Sequence, residues 1–171
     1  MILNQDSLMD CAPIKNMVGE KRVAHGTSYG LTEAGYDIRI KQNVYFEPHL
    51  KTSIGMQVGV VQGYGEISLS KGRFCLASSI EEFDMPEHLV GKVHDKSTWA
   101  RRGLSVFNTV IEPGWKGFLT LELVYHGEEK LFIPAGSGIA QILFFETQHH
   151  ASYDGKYQNQ ENKPVPAKES V

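Results

Sequence analysis

The stretch GFLTLELVY, Gly117 to Tyr125, constrains this chain more than any other. Side chains along a strand alternate between its two faces. Phe118, Thr120, Glu122 and Val124 therefore share one face, and Leu119, Leu121, Leu123 and Tyr125 the other. The second face is core. The first is apolar apart from Thr120 and Glu122, and a carboxylate in such company costs free energy unless it is paired or put to use. Desolvation raises its pKa toward the range of a general base and acid. A Glu–Arg pair at a subunit contact is the plainer reading of the same pattern.

The rest of the chain is written in the same period. From Val44 to Ser79 short strands (VYFEP, MQVGVVQGYG, EISLS, RFCLASS) are broken at Pro48, Gly63, Gly65 and Gly72. That spacing predicts a mainly β protein, a sandwich or barrel and not a βαβ sheet. Upstream, Tyr36, Ile38 and Ile40 alternate with Asp37, Arg39 and Lys41. This is a half-buried strand whose polar face carries Asp37 and Arg39 as structural ion-pairing groups, with each other or with a neighbouring subunit. Downstream, a Met85-Pro86 turn precedes a strand from Leu89 to His94. Two further strands, Leu131 to Pro134 and Ile139 to Phe145, flank a turn at Ala135-Gly136.

Helix is minor. Asp6 or Ser7 caps a turn holding Leu8 and Met9, Pro13 interrupts it, and a second turn runs through Ile14, Met17 and Val18. The tail from His149 onward is polar, carries Pro164 and Pro166, and reads as extended, with a disordered end.

At 171 residues the chain is sized for one domain, 1–171, with about 150–171 as its tail. Its net charge of −3 offers no basic field for nucleic acid, so any phosphate recognition is local. Cys11 and Cys75 form no ligand or redox spacing, the N-terminus has no apolar run of signal-peptide length, and no segment approaches the ~20 apolar residues of a membrane span. The expectation is a soluble, reduced, cytoplasmic protein that contacts neither membrane nor nucleic acid.

Local phosphate recognition has one candidate. Lys96 to Arg102, KSTWARR, follows a strand, and Ser97 or Thr98 is a natural N-cap for one or two turns of helix. A helix N-terminus favours an anion, and Ser97 and Arg101, four apart, share a face. Lys96, Ser97 and Arg101 make a triphosphate cradle or, equally, a capped and solvated basic turn. Glu112, before the Pro113-Gly114 turn, is a second candidate acid, although a loop carboxylate is usually just solvated. His149-His150 lacks ligand partners at a recognisable spacing and reads as surface.

At these residues the chain resembles the deoxycytidine triphosphate deaminase family, whose fold is shared with the trimeric deoxyuridine triphosphatases. SYGLTEAGYDIRI resembles the family's early strand, and LASSIEEFDMPEHLVGKVHDKSTWARRGL its run into the phosphate-binding helix. IEPGWKGFLTLEL resembles the catalytic hairpin, GIAQILFF the next strand, and GKYQNQ the tail that closes over the triphosphate. The match is thinnest from Lys41 to Gly72.

The resemblance implies a distorted jelly-roll or β-barrel of the trimeric type with a few short helices, and a homotrimer. It implies that Glu122 is the catalytic general base and acid. Ser97 and Arg101 hold the catalytic water, the pyrimidine end and the phosphates, and Lys96, Thr98, Trp99 and Ala100 of the same run take part in substrate binding. Thr120 and Leu121 read the base through their backbone, and Glu112 lies near the sugar. Gln141, Lys156 and Gln160 bind nucleotide, the last two through the tail. Tyr153 corresponds to a tail tyrosine, with a spacer to Lys156 shorter than the family's.

The reaction implied is deamination of dCTP to dUTP without zinc: zinc deaminases combine H-x-E with P-C-x-x-C, and this chain has no such combination. Mg2+ is carried by the triphosphate and not by a protein cage, so no protein metal ligands are expected, and dTTP is a possible feedback inhibitor. A dUTPase or bifunctional enzyme is the alternative, although the hydrolases use Asp at the position of Glu112. A regulator that binds nucleotide without catalysis is the third reading.

Overall fold

The computed structural model describes residues 1–48, 56–60, 66–70 and 73–169, the two middle stretches by backbone alone. The expected breaks at Gly63, Gly65 and Gly72, and the tail end at Ser170 and Val171, lie outside these residues. The first half runs β1 (Ile2–Leu3), α1 (Gln5–Cys11), β2 (Lys21–Ala24), β3 (Thr27–Leu31), β4 (Tyr36–Arg39), β5 (Asn43–Phe46), β6 (Met56–Val60) and β7 (Glu66–Ser70). The second half runs β8 (Phe74–Asp84), β9 (Leu89–Asp95), α2 (Ser97–Ala100), β10 (Leu104–Val106), β11 (Val110–Ile111), β12 (Lys116–Tyr125), β13 (Leu131–Ile133) and β14 (Gly138–Glu146).

Three sheets form among the described residues. One follows the order β11-β9-β14-β4-β3-β2, with β1 added on β14; the second is β10-β12-β8; the third is β13-β5-β7-β6. They pack as a distorted sandwich of jelly-roll kind and do not close into a barrel. The alternation read from GFLTLELVY is realised on β12, where Leu119, Leu121, Leu123 and Tyr125 are buried and Phe118, Thr120, Glu122 and Val124 half-buried. Leu121 and Leu123 join Ile38, Phe46, Phe83, Trp99, Ile142 and Phe144 in one core. Each such side chain contributes about 1.5–3 kcal/mol of burial free energy.

β8 is longer than its letters suggest. It continues past Ser79 through IEEFD because the acidic residues find partners on opposite faces. Glu81 is buried and accepts from Arg39 Nε at 2.8 Å and from the Arg39 backbone N–H at 2.8 Å, whereas Glu82 meets Lys15 at 2.6 Å on the outside. The pairing slips between Phe118↔Glu82 and Thr120↔Ser78, a bulge whose extra residues are absorbed by Ser79. Its hydroxyl accepts from Leu119 N at 3.0 Å and donates to Glu81 O at 2.8 Å.

Three local expectations are corrected. α1 begins a few residues earlier than expected, with Asn4 in place of Asp6 or Ser7 as N-cap and no side-chain cap, and ends where Ala12 turns left-handed (φ 44°) ahead of Pro13. The second turn at Ile14 is not helical; Ile14 instead bridges Phe83. Asp37 and Arg39 do share a face and make structural ion pairs as expected, but with partners other than each other, on a face that is largely covered. Asp37, 2% exposed, binds Lys96 and Ser28, while Arg39 binds Glu81 and lies over the Tyr29 ring.

Candidate active site

β12 holds Glu122 by pairing on both edges: Glu122 faces Leu76 of β8, and Val124 and Leu123 face Ser105 and Val106 of β10. The carboxyl projects from the half-buried face into a cavity of ≈ 440 Å³, lined also by Thr120, Glu112, Thr109, Trp115, Tyr153, Tyr157 and Gln160. Burial pushes the Glu122 carboxyl above the usual carboxylate range, and a bond to its own backbone N–H offsets part of that. Its Oε2 is buried and has no hydrogen-bond partner among the described residues. A buried acceptor left open costs about 1–3 kcal/mol, which a bound water or substrate proton donor would return.

The tail reaches the same cavity. The expected hairpin is instead a turn joining β11 and β12, strands of two different sheets, and after β14 the chain runs along it: Tyr153 N donates to Pro113 O at 2.8 Å, and Trp115 Nε1 donates to Tyr157 O at 2.7 Å. Gly117 and Gln160 form a parallel bridge. Here glycine is required by both space and conformation, since φ is +129° and a Cβ would stand 2.5 Å from Gln160 N. Gln160 Nε2 donates to Phe118 O at 2.9 Å and to Thr120 Oγ1 at 2.7 Å. Val165 N adds a bond to the same hydroxyl at 3.0 Å.

The helix group stands elsewhere in the chain. α2 is a single turn whose N-cap is Lys96, not Ser97 or Thr98, and the cap makes no side-chain bond. Lys96, Ser97, Thr98 and Gln141 line a second cavity of ≈ 290 Å³ with Asp37 and Asp95. The Lys96 ammonium is tied to Asp37 and, at 2.8 Å, to Ser28 Oγ. Gln141 Nε2 donates to Thr32 Oγ1 at 3.1 Å. Trp99 is 2% exposed, donates from Nε1 to Gly138 O at 2.7 Å, and has the Arg102 guanidinium over its ring. Ala100 and Arg101 are exposed.

The structure thus brings Glu112, Thr120, Glu122, Tyr153 and Gln160 around one cavity and places Lys96, Ser97, Thr98 and Gln141 around another. Leu121 is buried on the core face. Lys156 is exposed, with its ammonium 5.3 Å from the Tyr157 ring centroid and 2.5 Å from Lys168 O. Sequence reasoning passed over Trp115, Tyr157, Thr109 and Gln158. An aromatic directly after Pro113-Gly114 was the available signal for the first; Tyr157 and Gln158 lie inside the quoted GKYQNQ run without having been singled out, and nothing local marked Thr109. Among the described residues no three His, Cys, Asp or Glu side chains converge as metal ligands. The single H-x-E triplet, His126-Gly127-Glu128, follows β12, and its glutamate pairs with Arg73 at 2.7 Å.

A family model described as dCTP deaminase-like matches residues 8–147. Curated relatives called dCTP deaminase include one from Campylobacter concisus, 36% identical over 163 residues that cover 86% of each chain. One from Acidobacterium capsulatum is 31% identical over 181 residues, covering 97% of this chain and 99% of the relative. Among solved structures, the EIAV dUTPase superposes with a TM-score of 0.50 at 14% identity over 84% of this chain and 91% of that one. The 2'-deoxycytidine 5'-triphosphate deaminase from Agrobacterium tumefaciens gives 0.53 at 18% identity, covering 84% of this chain but 47% of that longer one. Both structural likenesses establish the fold alone.

Proposed function

The chain belongs to the dCTP deaminase-like family, and from that premise we propose that it hydrolyses the amino group of dCTP, giving dUTP and ammonia. The observation that carries the reading is Glu122. Its half-buried carboxyl has a raised pKa and an open Oε2, and it stands beside Thr120 in a cavity the tail already reaches. In the proposed reaction the Glu122 carboxylate takes a proton from a bound water, and the oxygen attacks C4 of the cytosine ring. As C4 is attacked the C4=N3 electron pair moves to N3, which takes up the remaining proton of the added hydroxyl; the carboxyl returns its own proton to the C4 amino nitrogen, and the exocyclic C4–N bond breaks to leave the C4 carbonyl, N3–H and ammonia. A carboxyl whose pKa has been moved toward neutrality serves both halves of that exchange. Zinc has no part in this reading, and Mg2+ arrives with the triphosphate.

Ser97 and Arg101 enter the same proposal through assembly. In one chain they do not line the Glu122 cavity, so a nucleotide touching both groups spans two copies, and the homotrimer implied by the resemblance supplies the second. A further reading, hydrolysis of dUTP to dUMP and pyrophosphate, draws on Glu112, which lines the cavity beside Glu122. Incubation with dCTP and dUTP, separating ammonia from pyrophosphate release, tests all of this. Ammonia from dCTP alone is expected; pyrophosphate from dUTP would make the enzyme bifunctional or a hydrolase, and binding without either product would remove catalysis.

A further inference from the structure

We infer that Gln158 is a positioning residue. Its side chain holds the strap 153–160 in register on the turn between β11 and β12, so that Gln160 stands at Thr120. A glutamine amide has two N–H donors and an oxygen with two lone pairs, and Gln158 uses all four. Nε2 donates to Gly114 O and Tyr153 O, each at 2.9 Å. Oε1 accepts from Lys116 N at 2.7 Å and from Asn159 N at 3.2 Å. Two of these bonds go to the turn that leads into β12 and two to the strap itself. One side chain therefore shapes the strap and fastens it.

The surrounding contacts need that fastening. Trp115 Nε1 reaches Tyr157 O, Phe118 N reaches Gln160 O at 3.1 Å, and Gln160 Nε2 reaches Phe118 O and Thr120 Oγ1. A slip of one residue would point Tyr157 or Asn159 at the turn: tyrosine lacks the amide pair that Gly114 O and Lys116 N engage, and asparagine carries it on a stem one methylene shorter. It would also take Gln160 away from Gly117, the position without a Cβ against which its backbone packs.

The kinetic consequence rests on the deamination reading. When only a fraction of molecules carries a docked strap, the apparent dissociation constant is the intrinsic one divided by that fraction. Loss of Gln158 then raises KM for dCTP and leaves kcat unchanged, because bound nucleotide itself holds the strap at saturation.

Gln158→Glu is the test. It keeps the shape and turns two N–H donors into an oxygen facing the carbonyls of Gly114 and Tyr153. Two hydrogen bonds of ordinary strength correspond to about a tenfold rise in KM. Trp115 supplies a readout free of turnover. It is 6% exposed while its indole N–H is held by the strap, and Trp99, at 2%, gives a constant second signal. In Gln158→Glu, acrylamide quenching of tryptophan emission should rise and the emission shift to the red; Gln158→Ala, which loses the bonds without the repulsion, should fall between. If Gln158→Glu fails to give native circular dichroism, Gln158→Ala carries the test. Wild-type quenching in the variants overturns the inference, whatever KM does, and so does a fall in kcat at unchanged KM. Should the native chain fail to deaminate dCTP, the functional reading falls, and quenching alone still decides the role of Gln158.

Discussion

Replacing Glu122 by Gln separates catalysis from architecture, because the two effects have opposite signs. The amide keeps the side-chain volume on β12 and cannot accept a proton from water. General base catalysis by a positioned side chain is worth about 10²–10⁴ in rate, so ammonia release from dCTP should fall by at least about a hundredfold, or about 2.7 kcal/mol in the barrier. Nucleotide binding, read by calorimetry, should persist.

Stability should move the other way. The folded-state pKa of Glu122 is raised by burial, so the neutral carboxyl suits the fold. Its favourable contribution is present below the unfolded-state value and is lost as pH rises through the folded-state one. Above that range the native protein carries a charge it does not want, and Gln does not. The open Oε2 sets the scale: about 1–3 kcal/mol for a buried group without a partner, taken at the low end because the residue is only half-buried. At about 2–4 °C per kcal/mol for a chain of this size, Glu122→Gln should melt a few degrees higher at pH 8, and the gain should shrink in acid. Turnover at the native rate, or a lower melting temperature at pH 8 than at pH 4 relative to the native chain, would refute the assignment of this carboxyl.

Other outcomes follow from the same contacts. Arg101→Ala should lower kcat/KM for dCTP by about tenfold or more, the worth of a charge-assisted contact, with the monomer fold unchanged by circular dichroism; an unchanged kcat/KM would take Arg101 out of the site. Truncation before Gly155 removes the Trp115–Tyr157 and Gln160–Thr120 bonds but no strand, so it should leave a folded chain with impaired deamination. Failure to fold would contradict the tail's role as a cover. Lys96→Met strands the buried Asp37 carboxylate, whose side chain is 3% exposed. Breaking such a pair costs about 3–5 kcal/mol, so thermal melting should drop on the order of 10 °C, and adding Asp37→Asn should recover much of it.

The strand carrying Glu122 was legible from letters alone because its period of two needs no partner to be seen: every second residue from Leu119 to Tyr125 is apolar, and the structure buries those four. The Pro113-Gly114 turn and the strand from Leu89 were readable for similar reasons. Other features depended on residues far away. The acidic run of β8 does not read as strand because Glu81 becomes tolerable only when Arg39 arrives from β4. The polar face of β4 looks solvent-exposed until Lys96, 59 residues on, closes over Asp37. The KSTWAR turn suggested one cradle with Glu122, yet in the folded chain the two groups line different cavities.

By itself, then, the sequence determined the β period, the placing of the turns and the one carboxyl among apolar neighbours, since local alternation and turn chemistry are properties of adjacent residues. Only the tertiary structure decided which polar groups are inside, that the tail lies along the start of β12, and that Oε2 of Glu122 has no partner among the described residues. Those outcomes depend on long-range pairing: a charge or an amide acquires its energy from whatever the fold sets beside it, and no window of neighbouring residues contains that information.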